Sequence, residues 1–195
     1  MKRGNPVSAL LDEALGRITD QMRISKSHPL EVDANALAKL LASDGRWPPA
    51  PLMTVRDAQT QPTQLLPLLN RRNRRWHDDY ALNSVSVASA VPGTPPNDLI
   101  HALHLYHPDH PTAPTMIYVH GWGVRRLQMR LNLGLRWLAP LGMNLLLVEQ
   151  PYHMQRSPAH SYYSGEFSIG ANLPQTVSMV QQSVWDTQVM ISWLL

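Results

Sequence analysis

The chain has 195 residues, 44% of them hydrophobic, which allows one ordinary domain with a sizeable core. Because it carries 17 basic and 14 acidic residues, its formal charge of +3 is too modest to indicate a dedicated nucleic-acid-binding protein. The absence of cysteine excludes disulfides, thiolate metal sites and a cysteine nucleophile. Charged residues make up only 16% of the chain and 17 residues are proline, so it is poor in charge and rich in proline for a soluble domain.

The compartment is predicted from what the sequence lacks. No stretch approaches the roughly 18 uninterrupted apolar residues that a membrane span needs. The basic start at Lys2 and Arg3 is followed by only a short apolar run before Asp12 and Glu13, so no export-type hydrophobic region forms. We therefore expect a soluble cytoplasmic protein with no membrane partner.

The N-terminal third is predicted to be helical and then extended. Residues 7–23 carry apolar side chains at helical spacing: Leu10, Leu11, Leu15, Ile18 and Met22. A second short helix is predicted over 33–41. Prolines repeatedly interrupt residues 43–67, and because proline has no backbone N–H we expect an extended connector there. These features divide the chain into a helical segment with a Pro-rich connector (1–70) and an α/β domain (71–195).

Two strands are predicted next, over 80–89 and 99–106, as an antiparallel pair joined by the proline-rich turn at 91–96. Because alternate residues of a strand point to the same face, one face of the second strand is predicted to be largely apolar. Its residues are Leu99, His101, Leu103 and Leu105.

The remainder predicts strand, helix, strand, loop and helix. Residues 115–119 and 144–148 are short apolar runs typical of fully buried strands. A helix is predicted between them over 126–138, closed by Pro140 and Gly142. After a loop to about residue 172, another helical pattern covers 174–195. The fold class is therefore α/β, with an antiparallel hairpin followed by parallel strands and helices.

The first of these buried strands stops at His120-Gly121-Trp122-Gly123, and the second is followed by Glu-Gln-Pro-Tyr-His-Met-Gln-Arg from Glu149. Together these motifs resemble the α/β-hydrolase superfamily, in its esterase and acyl-hydrolase members. Relatives often carry Asp-x-Pro-x-His-Gly-x-Arg at the second motif, so this chain departs from them at Glu149 and at Met154.

The resemblance implies a role for the whole His120–Gly123 turn in an oxyanion hole and substrate pocket. It implies that the backbone N–H of Trp122 or Gly123 stabilises negative charge on a substrate carbonyl oxygen, and that the Trp122 indole lines the pocket. It implies a small-molecule ester or acyl substrate in a complete relative, and no cofactor. The alternative is that His-Gly simply turns the chain at the end of a strand.

The nucleophile of such an enzyme is not recognisable. The sequence contains no Gly-x-Ser-x-Gly, and the nearest approach, around Ser168, has Glu166 in place of the first glycine and no buried strand before it. We therefore expect the N-terminal half of an α/β-hydrolase, ending before the nucleophile elbow and without catalytic turnover by itself. A non-catalytic binding or interaction protein that retains half the fold is the alternative.

Two other clusters invite different functions. A metal site is suggested by histidines that recur every three residues, at His101, His104, His107 and His110, with Asp109 nearby. Because residues three apart on a strand point to opposite faces, we expect no metal site there. The basic run between Arg71 and Arg75, followed by Trp76, could contact nucleic acid, but we favour a solvated segment.

Overall fold

The fold is described by a computed structural model. The structure describes residues 34, 35, 38, 58–63, 79–91, 95–131, 134–170 and 172–195. The helix predicted over 7–23 and the basic run at 71–75 lie outside these residues. Within the helix predicted over 33–41, the described residues 34, 35 and 38 are helical. The division of the chain at residue 70 remains a prediction.

The described residues form one mixed sheet of five strands. Their bounds, in chain order, are Gln59–Pro62 (β1), Ala81–Ala88 (β2), Leu99–Tyr106 (β3), Thr115–Val119 (β4) and Asn144–Val148 (β5). The strand order across the sheet is β1-β2-β3-β5-β4. The predicted β2–β3 hairpin is confirmed, with Ser86 opposite His101. Strand β5 pairs antiparallel with β3 and parallel with β4, so the predicted α/β class is confirmed.

One long helix, Leu173–Leu194 (α1), covers one face of the sheet. It begins at an N-cap, where the Asn172 side chain accepts a hydrogen bond from the Gln175 N–H at 3.1 Å, and it has proline in its first turn. Val189 and Met190 of α1 pack against apolar side chains of β2, β3 and β5. The observed helix thus agrees within one residue at each end with the helix predicted over 174–195.

The opposite face is covered by an irregular helical segment between β4 and β5. The segment predicted as a helix over 126–138 is helical but irregular where the structure describes it: 3-10 turns form at Leu127–Arg130 and Ala139–Leu141, Leu131 is α-helical, and a π-helical turn forms at Gly134–Leu138. A glycine within the segment and Pro140 near its end both disfavour a regular α-helix. The segment closes at Gly142, as predicted, with a left-handed φ of 67°.

The core has a cluster on each face of the sheet, and β5 contributes to both. Leu145 and Leu147 face the irregular segment, whereas Leu146 and Val148 face α1. All five residues of β5 are buried, as predicted for a strand with both faces covered.

Three sequence expectations need correction. Strand β4 is not fully buried: Met116 and Val119 are 38% and 46% exposed because β4 is at the edge of the described sheet. The proline-rich connector contains a strand, β1, which tolerates Pro62 because it is an edge strand and proline is its last residue. In β3, Leu99 is exposed and Ile100 is buried, since α1 also covers the face opposite to the one predicted to be apolar.

Candidate functional site

The turn after β4 is fastened to the turn after β5 by the buried side chain of His120. Its Nε2 accepts a hydrogen bond from the Gln150 backbone N–H at 3.0 Å, so that nitrogen carries no proton. The proton is therefore on Nδ1, which donates to the Gly121 carbonyl oxygen at 2.9 Å. Because β4 and β5 are adjacent and parallel, their carboxyl ends bring these two turns together.

Both ring nitrogens of His120 are thus engaged, and burial lowers the pKa of His120 from its ordinary 6.5 to about 4. A neutral imidazole with both nitrogens bonded is neither a general base nor a metal ligand. The role of His120 is therefore structural: its two hydrogen bonds fix the path of the backbone that follows it.

Both residues that flank Trp122 are glycines, so no side chain covers the backbone of the turn at positions 121 and 123. Gly123 has a φ of +78°, which only glycine adopts without strain, and a Cβ placed at Gly121 or Gly123 would meet no atom within 4 Å. Among the hydrogen bonds of the described residues, none uses the backbone N–H of Trp122 or of Gly123. Within the part of the chain that the structure describes, these two donors therefore have no acceptor.

The indole of Trp122 lies across the loop that follows β5. Its Nε1–H donates to the Gly165 carbonyl oxygen at 3.0 Å, its ring contacts Tyr163 edge-on, and the side chain is 39% exposed. One surface of the indole therefore remains open beside the Gly123 turn.

The second turn depends on Arg156, whose side chain is fully buried. Its guanidinium donates to Asp186 Oδ2 of α1 at 2.7 Å, and to the carbonyl oxygens of Glu149 and Asn97, both at 3.0 Å. Asp186 also accepts from the Ser89 hydroxyl at 2.6 Å. Burial raises the pKa of Asp186, while the adjacent guanidinium and the Ser89 hydroxyl act in the opposite direction and favour its charged form.

Gly165 allows a second histidine to pack beside His120. The His153 ring contacts the His120 ring edge-on, with centroids 4.7 Å apart, and bonds the Pro151 carbonyl oxygen through Nδ1 at 2.9 Å. A Cβ on Gly165, whose φ is +87°, would collide with the His153 ring. Burial lowers the pKa of His153, so this ring is also neutral at pH 7.

A cavity of about 540 Å³ lies next to these turns, on the sheet face that carries the irregular segment. Arg125, Arg126 and Gln128 line one wall, and Ser86, with His101 bonded to its hydroxyl at 3.0 Å, lines the strand wall. None of the predicted residues His120–Gly123 is among the lining residues.

Glu149, at the end of β5, also lines the cavity. Its Oε1 accepts from the Arg156 backbone N–H at 3.1 Å, which fixes the carboxyl group in place. Burial raises the pKa of Glu149 to about 7, so near neutral pH a large fraction of it is uncharged.

The structure separates the other sequence candidates. His101 faces the cavity and His104 faces Trp193 of α1, on opposite sides of the sheet as predicted, and His107 contacts His110 in the loop after β3. Among the described residues, no three histidine or acidic side chains come together as a metal would require. Ser168 is fully buried, with its hydroxyl donating to the Gly165 carbonyl oxygen at 2.7 Å.

Sequence reasoning missed the Arg156–Asp186 pair and the cavity. Arg156 and Asp186 are 30 positions apart, and the cavity is lined by separate segments between Gln59 and Gln155, so these contacts leave no local pattern in a single sequence. The available sequence signal was Asp186, a single charged residue within an apolar helical pattern, together with Arg156 in the preceding loop. A buried charge is unfavourable unless it is paired, so the two could have been matched.

Comparison with known proteins does not assign the chain to a family. No protein-family model matches the chain, and no curated protein matches it. A solved acetyl xylan esterase from Paenibacillus sp. R4 is similar in structure, with 18% sequence identity and a TM-score of 0.46. The match covers 90% of this chain and 51% of the esterase, so this chain spans about half the length of that protein. Among the described residues, none of the helices combines the length and apolarity needed to cross a bilayer.

Proposed function

We propose that the His120–Gly123 turn is the oxyanion-binding side of an α/β-hydrolase of the serine esterase or acyl-hydrolase type. The observation that carries the proposal is the pair of open backbone N–H groups, Trp122 and Gly123, on a turn braced at the carboxyl end of a parallel strand. Donors held in place before reaction stabilise a developing oxyanion, and losing one such donor raises a reaction barrier by about 3 kcal/mol.

The surrounding contacts support this role over that of a simple strand-ending turn. A turn that only reverses the chain does not need a buried histidine bonded to the neighbouring turn, nor an indole tied to the loop opposite. Here His120 and Trp122 hold the turn at two points, so its free N–H groups keep a fixed direction. The open face of the indole would then form one wall of an acyl or leaving-group pocket.

We also propose that these 195 residues do not hydrolyse esters by themselves. Acyl transfer in this class needs a serine activated by a histidine. The chain contains no Gly-x-Ser-x-Gly, and the Ser168 hydroxyl is buried. Ser86 bonds His101, but it lies within strand β2 and not at a strand-to-helix elbow. We expect no turnover of short p-nitrophenyl esters above the buffer rate and no stoichiometric labelling by a fluorophosphonate. Stoichiometric labelling would refute the absence of a nucleophile.

The oxyanion role is tested by amide NMR of the full chain with methylphosphonate, a stable tetrahedral anion. We expect the Trp122 and Gly123 amide resonances to shift saturably. Because Arg125 and Arg126 are close in sequence and would also attract an anion, the titration is repeated in the R125Q/R126Q double variant, where the two shifts should persist. Their disappearance there, or their absence in the parent chain, would contradict the proposal.

A matched pair of glycine variants sharpens this test. Gly123→Ala places a side chain at a φ of +78° and should displace the turn, so the two amides should lose their response. Gly121→Ala meets no atom within 4 Å and has no positive φ to oppose it, so the response should remain. An unchanged response in G123A would contradict the assignment of these N–H groups.

A further inference from the structure

A second segment of the chain contacts the far end of the His120–Gly123 turn. The Val124 carbonyl oxygen, directly after the turn, accepts a hydrogen bond from the Ser164 hydroxyl at 2.7 Å. Ser164 lies 40 positions later, in the loop between β5 and α1. Val124 is buried and Ser164 is half-buried, so this hydrogen bond is partly protected from water. The turn is therefore held at its end as well as at His120.

The Ser164 hydroxyl is also an acceptor, which fixes the direction of its proton. The Met154 backbone N–H donates to it at 3.1 Å, and the hydroxyl proton is directed to the Val124 oxygen. One side chain thus joins the loop directly after β5 to the end of the turn after β4. Alanine at this position would break both contacts at once.

The loop to which Ser164 joins the turn has an unfavourable backbone conformation. Tyr152 and Met154 have φ values of 62° and 42°, which residues other than glycine rarely adopt. The Met154 N–H is bonded by Ser164, and the Tyr152 carbonyl oxygen accepts from the Gly165 N–H at 2.8 Å. A strained conformation persists only where the surrounding contacts determine it. Met154 is therefore a fixed point, to which the turn is tied through Ser164.

The turn needs a contact at its far end because it contains two glycines. Gly121 and Gly123 restrict backbone rotation less than other residues do, so the bonds of His120 fix only the start of the turn. The indole bond of Trp122 acts through the side-chain torsions and constrains the backbone less directly. A hydrogen bond to the Val124 carbonyl oxygen acts on the backbone itself.

We propose that Ser164 is a positioning residue for the two donors of the turn, the backbone N–H groups of Trp122 and Gly123. By fixing Val124, it holds these N–H groups in one direction, so that an oxyanion meets donors that are already ordered. The inference rests on the proposed oxyanion role for its functional meaning. The order of the turn, in contrast, is a property of the chain without ligand and has its own measurement.

The order of the turn is tested by ¹⁵N relaxation and relaxation dispersion of the full chain without ligand. In the parent chain we expect the Trp122 and Gly123 amides to have order parameters of about 0.85, as in rigid backbone. In Ser164→Ala they should fall below about 0.6 or show microsecond-to-millisecond exchange that the parent lacks. The amides of β5 and α1 should be unchanged, because the sheet does not depend on this bond. Unchanged Trp122 and Gly123 amides in S164A would overturn the proposal.

Ser157→Ala is the matched control. Ser157 lies in the same loop, and its hydroxyl donates to the Tyr152 carbonyl oxygen at 2.9 Å, so S157A removes a comparable bond that does not reach the turn. The Trp122 and Gly123 amides should keep their parent order in S157A and also in Ser164→Thr, which retains the hydroxyl. Ser164→Cys, whose thiol is a weaker donor, should lose part of the order and remains measurable if S164A is largely unfolded. Equal loosening of the turn in S157A and in the Ser164 variants would refute the role of the Val124 bond.

The functional consequence is measured with methylphosphonate by the same amide resonances. S164A should bind it about fivefold more weakly than the parent chain, whereas S157A and S164T should bind it as the parent does. A turn that is looser in S164A but binds methylphosphonate with parent affinity would refute a positioning role. If the parent chain itself gives no response at Trp122 and Gly123, the oxyanion proposal fails, and the relaxation data still decide whether Ser164 holds the turn.

Discussion

The buried Arg156–Asp186 pair gives the sharpest prediction for stability. The two side chains are 0% and 1% exposed, and their atoms Nη2 and Oδ2 are 2.7 Å apart. Asp186→Ala removes the countercharge of a guanidinium that has no access to water. Breaking a buried pair from one side costs about 3–5 kcal/mol in the free energy of unfolding. For a chain of this length, that corresponds to a fall in Tm of roughly 6–20 °C.

The prediction is checked by urea unfolding followed by circular dichroism at pH 7. Asp186→Asn, which keeps the shape and one acceptor oxygen, should be destabilised less than D186A and remain measurable if D186A is largely unfolded. Asp109→Asn is the control, because Asp109 is exposed in the loop after β3, and we expect a change within about 0.5 kcal/mol. A D186A unfolding free energy within about 1 kcal/mol of the parent chain would refute the reasoning.

The double variant R156M/D186L tests the cause of that loss. If an uncompensated charge is responsible, replacing both partners by apolar side chains should be less destabilising than D186A alone. Recovery should be incomplete, because Arg156 also donates to the carbonyl oxygens of Glu149 and Asn97. A double variant less stable than D186A would indicate that these carbonyl bonds, rather than the charge, dominate.

Three further predictions concern the turns and the loop. A carboxyl group whose folded pKa is raised binds more protons in the folded state, so the contribution of Glu149 to stability is present below about pH 4.5 and is lost as the pH rises through 7. The stability of Glu149→Gln relative to the parent chain should therefore increase by up to about 3 kcal/mol between pH 4.5 and pH 8 in urea titrations, and a constant difference would contradict the raised pKa. Gly165→Ala should lower the free energy of unfolding by about 2 kcal/mol or more in the same assay, because of the positive φ and the collision with the His153 ring. Gly170→Ala, where a Cβ meets no atom within 4 Å, should lower it by under about 1 kcal/mol, and equal losses would refute the packing argument. His120→Phe should cost about 1–3 kcal/mol by leaving the Gln150 N–H without an acceptor, and an unchanged stability would show that this bond does not brace the turn.

Strands β2 to β5 could be predicted from sequence because their signal is local, whereas β1 lies in a proline-rich stretch without an apolar pattern and was missed. The predicted bounds of β3, β4 and β5 coincide with the observed ones, since short apolar runs between turn residues define a strand without reference to the rest of the chain. The position of each strand in the sheet has no such signal. That β5 lies between β3 and β4, and that β4 is consequently at the edge, depends on pairings between distant segments.

The candidate site divides in the same way. His120 and the glycines beside it are contiguous, so the turn was recognisable as a motif, although the sequence did not indicate that both nitrogens of His120 are already bonded. The cavity combines residues of β1, β2 and β3 with the segments before and after β5, and it exists only once the sheet has formed. Its arginines were visible in the sequence, but nothing local connected them to Ser86 or His101.

The loop after β5 links the stability of the fold to the His120–Gly123 turn and to the cavity. Gln150 holds the turn through His120, Glu149 lines the cavity, and Arg156 fixes the loop to α1. Substitutions in this buried network should therefore disturb the turn and the cavity together by displacing the loop, which makes them poor tests of ligand binding. Gly123 and Arg126 lie outside the buried network, on the exposed surface. Variants there remove no buried partner. Arg126→Gln changes only charge, whereas Gly123→Ala also strains the turn through its positive φ, so its unfolding free energy is measured beside its ligand response.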